Sequence, residues 1–108
     1  GWIPYFIERA DDTWRTHQWA QGEKRIPKPP SHYYKRHVYS CFFKDTVGID
    51  LLDRIGEDNV LFETDYPHQD GTFPNTLAIA EELFGHLEQE TIDKIARNNA
   101  IKLFGLTI

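Results

Sequence analysis

A carboxylate and an imidazole follow directly on an apolar segment near the middle of the sequence. The stretch "VLFETDYPHQDGTFPN", residues 60–75, begins as a buried strand and ends as a polar loop. In parallel α/β proteins, catalytic groups collect where strands end. Asp65 at that place can bind a metal ion or accept a proton, and His68 can hydrogen-bond Asp65 or a substrate. Alternatively, Asp65 is a turn or capping residue and His68 a solvated loop histidine. The pattern alone does not decide between them.

A second carboxylate, Glu63, lies two residues before Asp65. Side chains alternate along a strand, so Leu61, Glu63 and Asp65 share one face. If that face points into a barrel, Glu63 lies one layer deeper than Asp65, where an ionised carboxylate is costly unless it is paired. We therefore expect Glu63 to meet a cation from elsewhere in the protein, or to be protonated.

The sequence contains none of the common motifs that would provide a complete metal site. It contains no H-x-H pair, no H-E-x-x-H, no glycine-rich phosphate loop and no Gly-x-Ser-x-Gly. Catalytic zinc normally takes three protein ligands, and this segment offers Asp65 with His68 as a second. The histidines are residues 17, 32, 37, 68 and 86.

The charge and composition of the sequence limit the kinds of partner that we expect the protein to bind. The formal net charge of −5 argues against nucleic acid and anionic membranes as partners. No apolar run approaches the roughly 20 residues needed to span a bilayer. Cys41, the single cysteine, lies in an apolar run and is expected to be a buried structural thiol. Cysteine usage fits a reducing compartment, so a cytoplasmic location is expected.

The elements that must position Asp65 are two strands joined by a helix. Residues 37–43 and 60–64 are rich in β-branched and aromatic residues and predict strands. A helix from Thr46 to Ile55 is predicted between them, with Asp45 as N-cap and Gly56 as its stop. A short connection through a helix predicts a parallel pair. Apolar periodicity predicts further helices over Ile3–Ala20, from Asn75 or Thr76, and over Gln89–Phe104 with Gly105 as its end.

The stretch that contains Asp65 and several segments around it resemble the amidohydrolase-2 family. This family contains aminocarboxymuconate semialdehyde decarboxylase and related decarboxylases and hydrolases. The stretch "VLFETDYPHQDGTFP" is similar to the family's last barrel strand, which typically ends Ser-Asp-Tyr-Pro-His. The segments "GWIPYFIERADD", "HVYSCFFKDTVGIDLLDRIGEDN" and "IDKIARNNAIKLFGL", with the pair Asn99 and Ala100, resemble neighbouring parts of that barrel in the same order.

The resemblance implies an α/β fold, namely the C-terminal part of a (β/α)8 TIM barrel that is incomplete on its own. It implies a divalent metal, with zinc the expected ion, at the carboxyl end of the barrel. Asp65 would bind this metal or accept a proton from its bound water, and Glu63, where many relatives have Gly, would lie below it. His68 and Trp2 would contact a small-molecule substrate. Trp2 stands near where the decarboxylases offer an Arg, which suits a substrate with an aromatic or apolar part.

Whether the sequence is a whole protein or a part of one affects both the predicted fold and the predicted function. The sequence has no methionine and opens almost at once into helical pattern, so we expect residues 1–108 to be one segment of a single longer barrel domain. A complete barrel needs about 250 residues. Unpaired strand edges and apolar helix faces predict association, and a homodimer is the expected oligomer. The competing hypothesis is a non-enzymatic helical interaction module in which Asp65 is only a turn residue.

Overall fold

A computed structural model describes all residues from Gly1 to Ile108 and shows a mixed α/β chain. Two compact units divide the chain. The first unit is residues 2–38 and is helical. The second unit consists of Gly1 with residues 39–108, and it holds the two-stranded parallel sheet.

The first unit is built from two helices and a 3₁₀ segment. Helix α1, Ile3–Thr16, begins with Pro4 in its first turn and packs against α2, Pro30–His37. The prediction that α1 continues to Ala20 was wrong. The helix stops at Thr16, whose hydroxyl donates to the Asp12 carbonyl at 2.8 Å, and a 3₁₀ segment kinked at Gly22 follows over Gln18–Lys24.

Two side chains tie the elements of the first unit together. The Asp11 carboxylate accepts the backbone N–H of Ser31 at 2.8 Å, which joins α1 to the first turn of α2. The indole N–H of Trp14 donates to the Ile26 carbonyl at 3.1 Å. The proline-rich connection between the helices is therefore fastened to α1 by polar contacts.

The second unit contains the predicted strand, helix and strand. Strand β1, Ser40–Phe42, pairs in parallel with β2, Val60–Phe62, in the register Ser40 to Val60 and Phe42 to Phe62. The parallel pairing is confirmed, but β1 is shorter than residues 37–43. The reason is that α2 extends to His37 and is closed by the N–H of Val38 bonding the Tyr34 carbonyl at 3.0 Å.

The crossover between the strands is helical, as predicted, but divided. It consists of α3, Thr46–Asp50, and α4, Leu52–Ile55, followed by a 3₁₀ turn over Glu57–Asn59. Asp45 caps α3 by accepting the Gly48 N–H at 2.8 Å. A Cβ on Gly48 would lie 2.6 Å from the Asp45 carboxylate, so any other residue there would require this carboxylate to shift. Gly56 ends α4 with a φ of 99°, which confirms the predicted stop.

The core of the second unit includes a cluster of three phenylalanines. Phe42 and Phe62 from the two strands and Phe84 from α5, Thr76–Phe84, meet edge to face with ring centroids 5.3–6.0 Å apart. Such aromatic pairs stabilise the fold by more than the burial of their surface area alone. Helix α5 is thereby fixed over one face of the strand pair. The remaining buried apolar side chains of the unit are Ile49, Leu52, Ile55, Val60, Leu61 and Ile95.

The C-terminal helical stretch is continuous but changes its winding. It runs through α6, Gln89–Asp93, a π-helical turn, Lys94–Asn98, and α7, Asn99–Phe104. Gly105 closes it in the left-handed region with a φ of 61°, as predicted. The buried amide of Asn99 donates to the carbonyls of Glu57 at 2.7 Å and Val60 at 2.8 Å. None of the helices has the length and apolar character that a membrane crossing requires.

Candidate active site at the end of strand β2

Asp65 follows the C-terminal end of β2 in an uncommon backbone conformation. Its φ is 55°, and no other non-glycine residue of the chain has a positive φ. The left-handed region is disfavoured by the Cβ of most residues, although Asp adopts it more readily than most. The carboxylate is 38% exposed. A strained backbone held by surrounding structure is typical of a functional position.

The imidazole of His68 lies against this carboxylate. Its Nδ1 is 3.1 Å from Oδ2 of Asp65, and its backbone N–H donates to the Asp65 carbonyl at 2.8 Å. When Nδ1 carries the proton, it donates to the carboxylate and leaves Nε2 as an acceptor or ligand. The structure therefore brings two of the predicted site residues together. His68 lies within hydrogen-bonding distance of Asp65, as predicted.

Thr72 anchors the loop that carries both residues. It is 2% exposed, and its N–H and hydroxyl reach the Thr64 carbonyl at 2.9 and 3.2 Å. The same hydroxyl lies 3.0 Å from that of Thr76 at the start of α5. The loop is thus closed onto the residue immediately before Asp65. Sequence reasoning did not identify Thr72, because a single threonine between Gly71 and Phe73 carries no periodic signal.

Gly71 permits a second close approach within the loop. A Cβ at this position would lie 2.8 Å from the Thr64 carbonyl oxygen and 2.9 Å from that of Asp65. Contacts this short with backbone atoms cannot be relieved by turning a side chain. Only glycine therefore fits here without displacing the backbone around Asp65.

A lysine from the other strand end reaches the same loop. Lys44 follows β1, and its ammonium donates to the Asp70 carbonyl at 2.9 Å and lies 3.7 Å from an Asp70 carboxylate oxygen. The loops after β1 and β2 are therefore connected at the carboxyl ends of the strands. This is the edge at which parallel α/β proteins place their reactive groups.

The other two residues predicted for the site, Glu63 and Trp2, belong to different compact units. Glu63 is exposed, and its backbone N–H donates to the Phe42 carbonyl at 2.9 Å. Trp2 belongs to the first compact unit, is 69% exposed and contacts the ring of Phe6 edge to face. The proposed substrate contact of Trp2 and the position of Glu63 below a metal stay predictions.

Cys41 corrects one expectation. The thiol is exposed rather than buried, because β1 pairs with β2 alone and its outer edge has no neighbouring strand. Partial burial raises the pKa of Cys41, and the negative charge of Glu63 raises it further. A thiol with a raised pKa is protonated at neutral pH and is a poor nucleophile. Cys41 therefore lacks the lowered pKa that activates a cysteine nucleophile.

The acidic residues beside the start of β2 form a separate cluster. Lys94 contacts the carboxylates of Glu57 and Asp58, and the Thr91 hydroxyl donates to Glu57 at 2.7 Å. The hydrogen bond from Lys94 holds the pKa of Glu57 below its usual value. A cleft of about 400 Å³ lies here, lined in part by Leu52 and Leu87. The central carboxylate of this region, Glu57, is therefore already paired with a lysine of the same chain.

The donors near Asp65 suit one side of a metal centre. A carboxylate supported by an imidazole is a ligand arrangement that divalent metals accept. However, no group of three or more His, Cys, Asp or Glu side chains in the chain is arranged to hold an ion. These residues can therefore supply part of a metal site and not a whole one.

Comparison with known proteins places the chain in a family. The sequence profile of the amidohydrolase family matches residues 1–106, so the chain belongs to this family. A solved amidohydrolase from Mycobacterium avium subsp. paratuberculosis K-10 is similar, with 28% sequence identity and a TM-score of 0.70. The alignment covers 94% of this chain and 26% of that protein, so the chain spans about a quarter of the solved relative.

Proposed function

We propose that this chain forms the last two strands and flanking helices of a (β/α)8 barrel in a metal-dependent hydrolase or decarboxylase. Family membership and the likeness to a quarter of a solved amidohydrolase support this proposal. So does the local topology, since two parallel strands joined by a helical crossover are the repeating unit of such a barrel. The same findings favour an enzyme over a helical interaction module.

The observation that carries the proposal is the position of Asp65. It stands just beyond a parallel strand, with a positive φ, a partly exposed carboxylate and the imidazole of His68 at 3.1 Å. In barrel enzymes the groups that act on substrate come from this end of the strands. A capping or turn role requires neither the imidazole nor the anchored loop, and no helix begins at Asp65.

In the proposed site Asp65 is a metal ligand or the proton acceptor. A bound divalent metal supplies Lewis acidity and lowers the pKa of water towards 7. With such a metal bound, Asp65 would bind it or accept a proton from its bound water, and the Nδ1–H of His68 would fix the orientation of the Asp65 carboxylate. His68 is exposed, so it is also placed to contact a small-molecule substrate.

Zinc is the ion we propose, because carboxylate and imidazole are both ordinary zinc ligands. The remaining ligands would come from other strands of the barrel. Whether a carbon–nitrogen, carbon–oxygen or carbon–carbon bond is broken depends on groups that face the substrate from those strands. Hydrolysis and decarboxylation therefore both belong to the proposal.

The experiment uses the full-length protein that contains this chain. A panel of small amides, esters and carboxylic acids is screened for turnover, with carbon dioxide release recorded separately from hydrolysis. The protein is then stripped with a chelator and reloaded with zinc. Loss of turnover on stripping and its return on reloading are expected. Turnover that is indifferent to the chelator, in protein shown to be metal-free, would refute the proposal.

A further inference from the structure

Two exposed aromatic rings stand on the loop that carries Asp65. Tyr66 and Phe73 contact each other edge to face, with centroids 5.0 Å apart and an interplanar angle of 68°. Tyr66 is 66% exposed and Phe73 is 65% exposed. Leaving both rings in water forgoes the burial that stabilises aromatic side chains. This chain, which spans about a quarter of a solved relative, therefore leaves a paired aromatic surface uncovered.

The position of the pair is set by the loop backbone. Tyr66 follows Asp65 directly, and its N–H approaches the Thr64 hydroxyl at 3.3 Å. Phe73 follows Thr72, which is buried and bonded to the Thr64 carbonyl. The loop is thus fastened by backbone and threonine contacts, and neither ring is a member of the phenylalanine cluster under α5. The rings form a preformed surface beside the Asp65–His68 pair.

We infer that Tyr66 and Phe73 form an apolar wall of the substrate site and select substrates with a flat aromatic or apolar group beside the reacting bond. This inference rests on the proposed function. The occupant is a small molecule because both rings belong to the loop after a parallel strand, where barrel enzymes bind substrate. Small-molecule sites are lined mostly by apolar and aromatic side chains with a few polar groups among them. Asp65 and His68 are those polar groups here.

Neutral amides provide the probe, because they avoid repulsion from the carboxylates of Asp65 and Asp70. Dissociation constants of benzamide and acetamide are measured on the full-length protein by NMR titration. The variants are Tyr66→Leu and Phe73→Leu, which keep an apolar side chain and remove the ring. Tyr66→Phe keeps the ring. Phe104→Leu is the matched control, because Phe104 is 67% exposed on α7.

Benzamide is expected to bind more tightly than acetamide to the unmodified protein. Each leucine variant should weaken benzamide binding roughly threefold to tenfold, the range of aromatic pair interactions, and change acetamide binding less than twofold. Phe104→Leu should leave both constants unchanged, and Tyr66→Phe, which keeps the ring, should keep the preference for benzamide over acetamide. Benzamide binding that is undetectable at millimolar concentration, or equal in the leucine variants and the unmodified protein when both are folded by circular dichroism, would overturn the inference.

The same samples separate this inference from the proposed function. Metal-dependent turnover together with unaltered benzamide binding in the leucine variants would refute the aromatic wall and leave the enzyme assignment standing. Ring-dependent benzamide binding in a protein whose turnover ignores metal removal would support the wall and refute the metal-dependent assignment.

Discussion

Oδ2 of Asp65 lies 3.1 Å from Nδ1 of His68, and the backbone N–H of His68 donates to the Asp65 carbonyl at 2.8 Å. The two links make a tight turn of residues 65–68 that places the carboxylate next to the ring. Such a turn holds the proposed ligand or base in one orientation before substrate arrives, and preorganised groups of this kind are what catalysis requires.

Replacing His68 by Gln is expected to lower metal affinity or turnover of the full-length protein about 10- to 100-fold, because groups that orient a ligand typically contribute this much. Metal affinity is measured by competition with a chelator. The exposed His86 on the surface after α5 provides the control variant, His86→Gln. Equal losses in both variants would show that His68 has no special relation to the site.

Adding one methyl group at Gly71 is expected to displace the backbone around Asp65. The new Cβ of Gly71→Ala meets two backbone oxygens at 2.8 and 2.9 Å, so the loop must shift. Overpacking of this kind costs about 1–3 kcal/mol of unfolding free energy, and turnover should fall as well. The change in stability is measured by thermal unfolding, with Asn75→Ala as the control. Asn75 is an exposed residue of the same loop, and its side chain makes no capping hydrogen bond. An unchanged midpoint would contradict the close packing described here.

The Asn99 amide is expected to be the strongest single polar contact between the C-terminal helical stretch and β2. Asn99→Ala leaves two carbonyls in a region that is 3% exposed without their donor. The expected loss is about 2–4 kcal/mol of unfolding free energy, from the cost of unsatisfied buried groups. Urea unfolding of Asn99→Ala and of the exposed Asn98→Ala measures it. Similar midpoints for the two variants would be incompatible with this role.

The Glu57–Lys94 pair is expected to make stability depend on pH in a known direction. The hydrogen bond from Lys94 lowers the pKa of Glu57, so the contribution is present above the usual value of 4.5 and is lost as pH falls through the folded-state pKa. The hydrogen bond that Lys94 donates to Glu57 raises the pKa of Lys94, so the contribution also fades at strongly alkaline pH. Glu57→Gln should therefore destabilise the protein more at pH 7 than at about pH 3. A difference that is the same at both pH values would rule out an ionic contribution.

Much of the second unit could be predicted from local chemistry. Asp45 and Gly56 bound the crossover because capping and left-handed closure depend on residue type. The parallel pairing followed from the short helical connection. The end of α1 at Thr16 could not be predicted in this way, because the apolar spacing continues towards Ala20 while the hydroxyl of Thr16 bonds back to the helix.

The site was predictable only in part for a similar reason. Asp65 and His68 stand out by residue type and position after a strand. Thr72 and Gly71 act through close contacts with backbone oxygens that only the folded loop brings together, and such contacts leave no pattern in the sequence. The exposure of Cys41 depends on how many strands flank β1, which its own apolar surroundings do not reveal.

The central claim is that Asp65 acts in a metal-dependent reaction, and Asp65→Asn in the full-length protein tests it most directly. The amide keeps the shape of the side chain but cannot accept a proton or carry the ligand charge. Asp70→Asn on the same loop is the control, since Asp70 is exposed and bonds Lys44 through its carbonyl. Turnover, bound zinc and circular dichroism are measured on the same samples. We predict that Asp65→Asn loses at least roughly 100-fold in kcat with its fold intact, while Asp70→Asn retains most activity. An unchanged kcat with full metal occupancy in Asp65→Asn would contradict the claim.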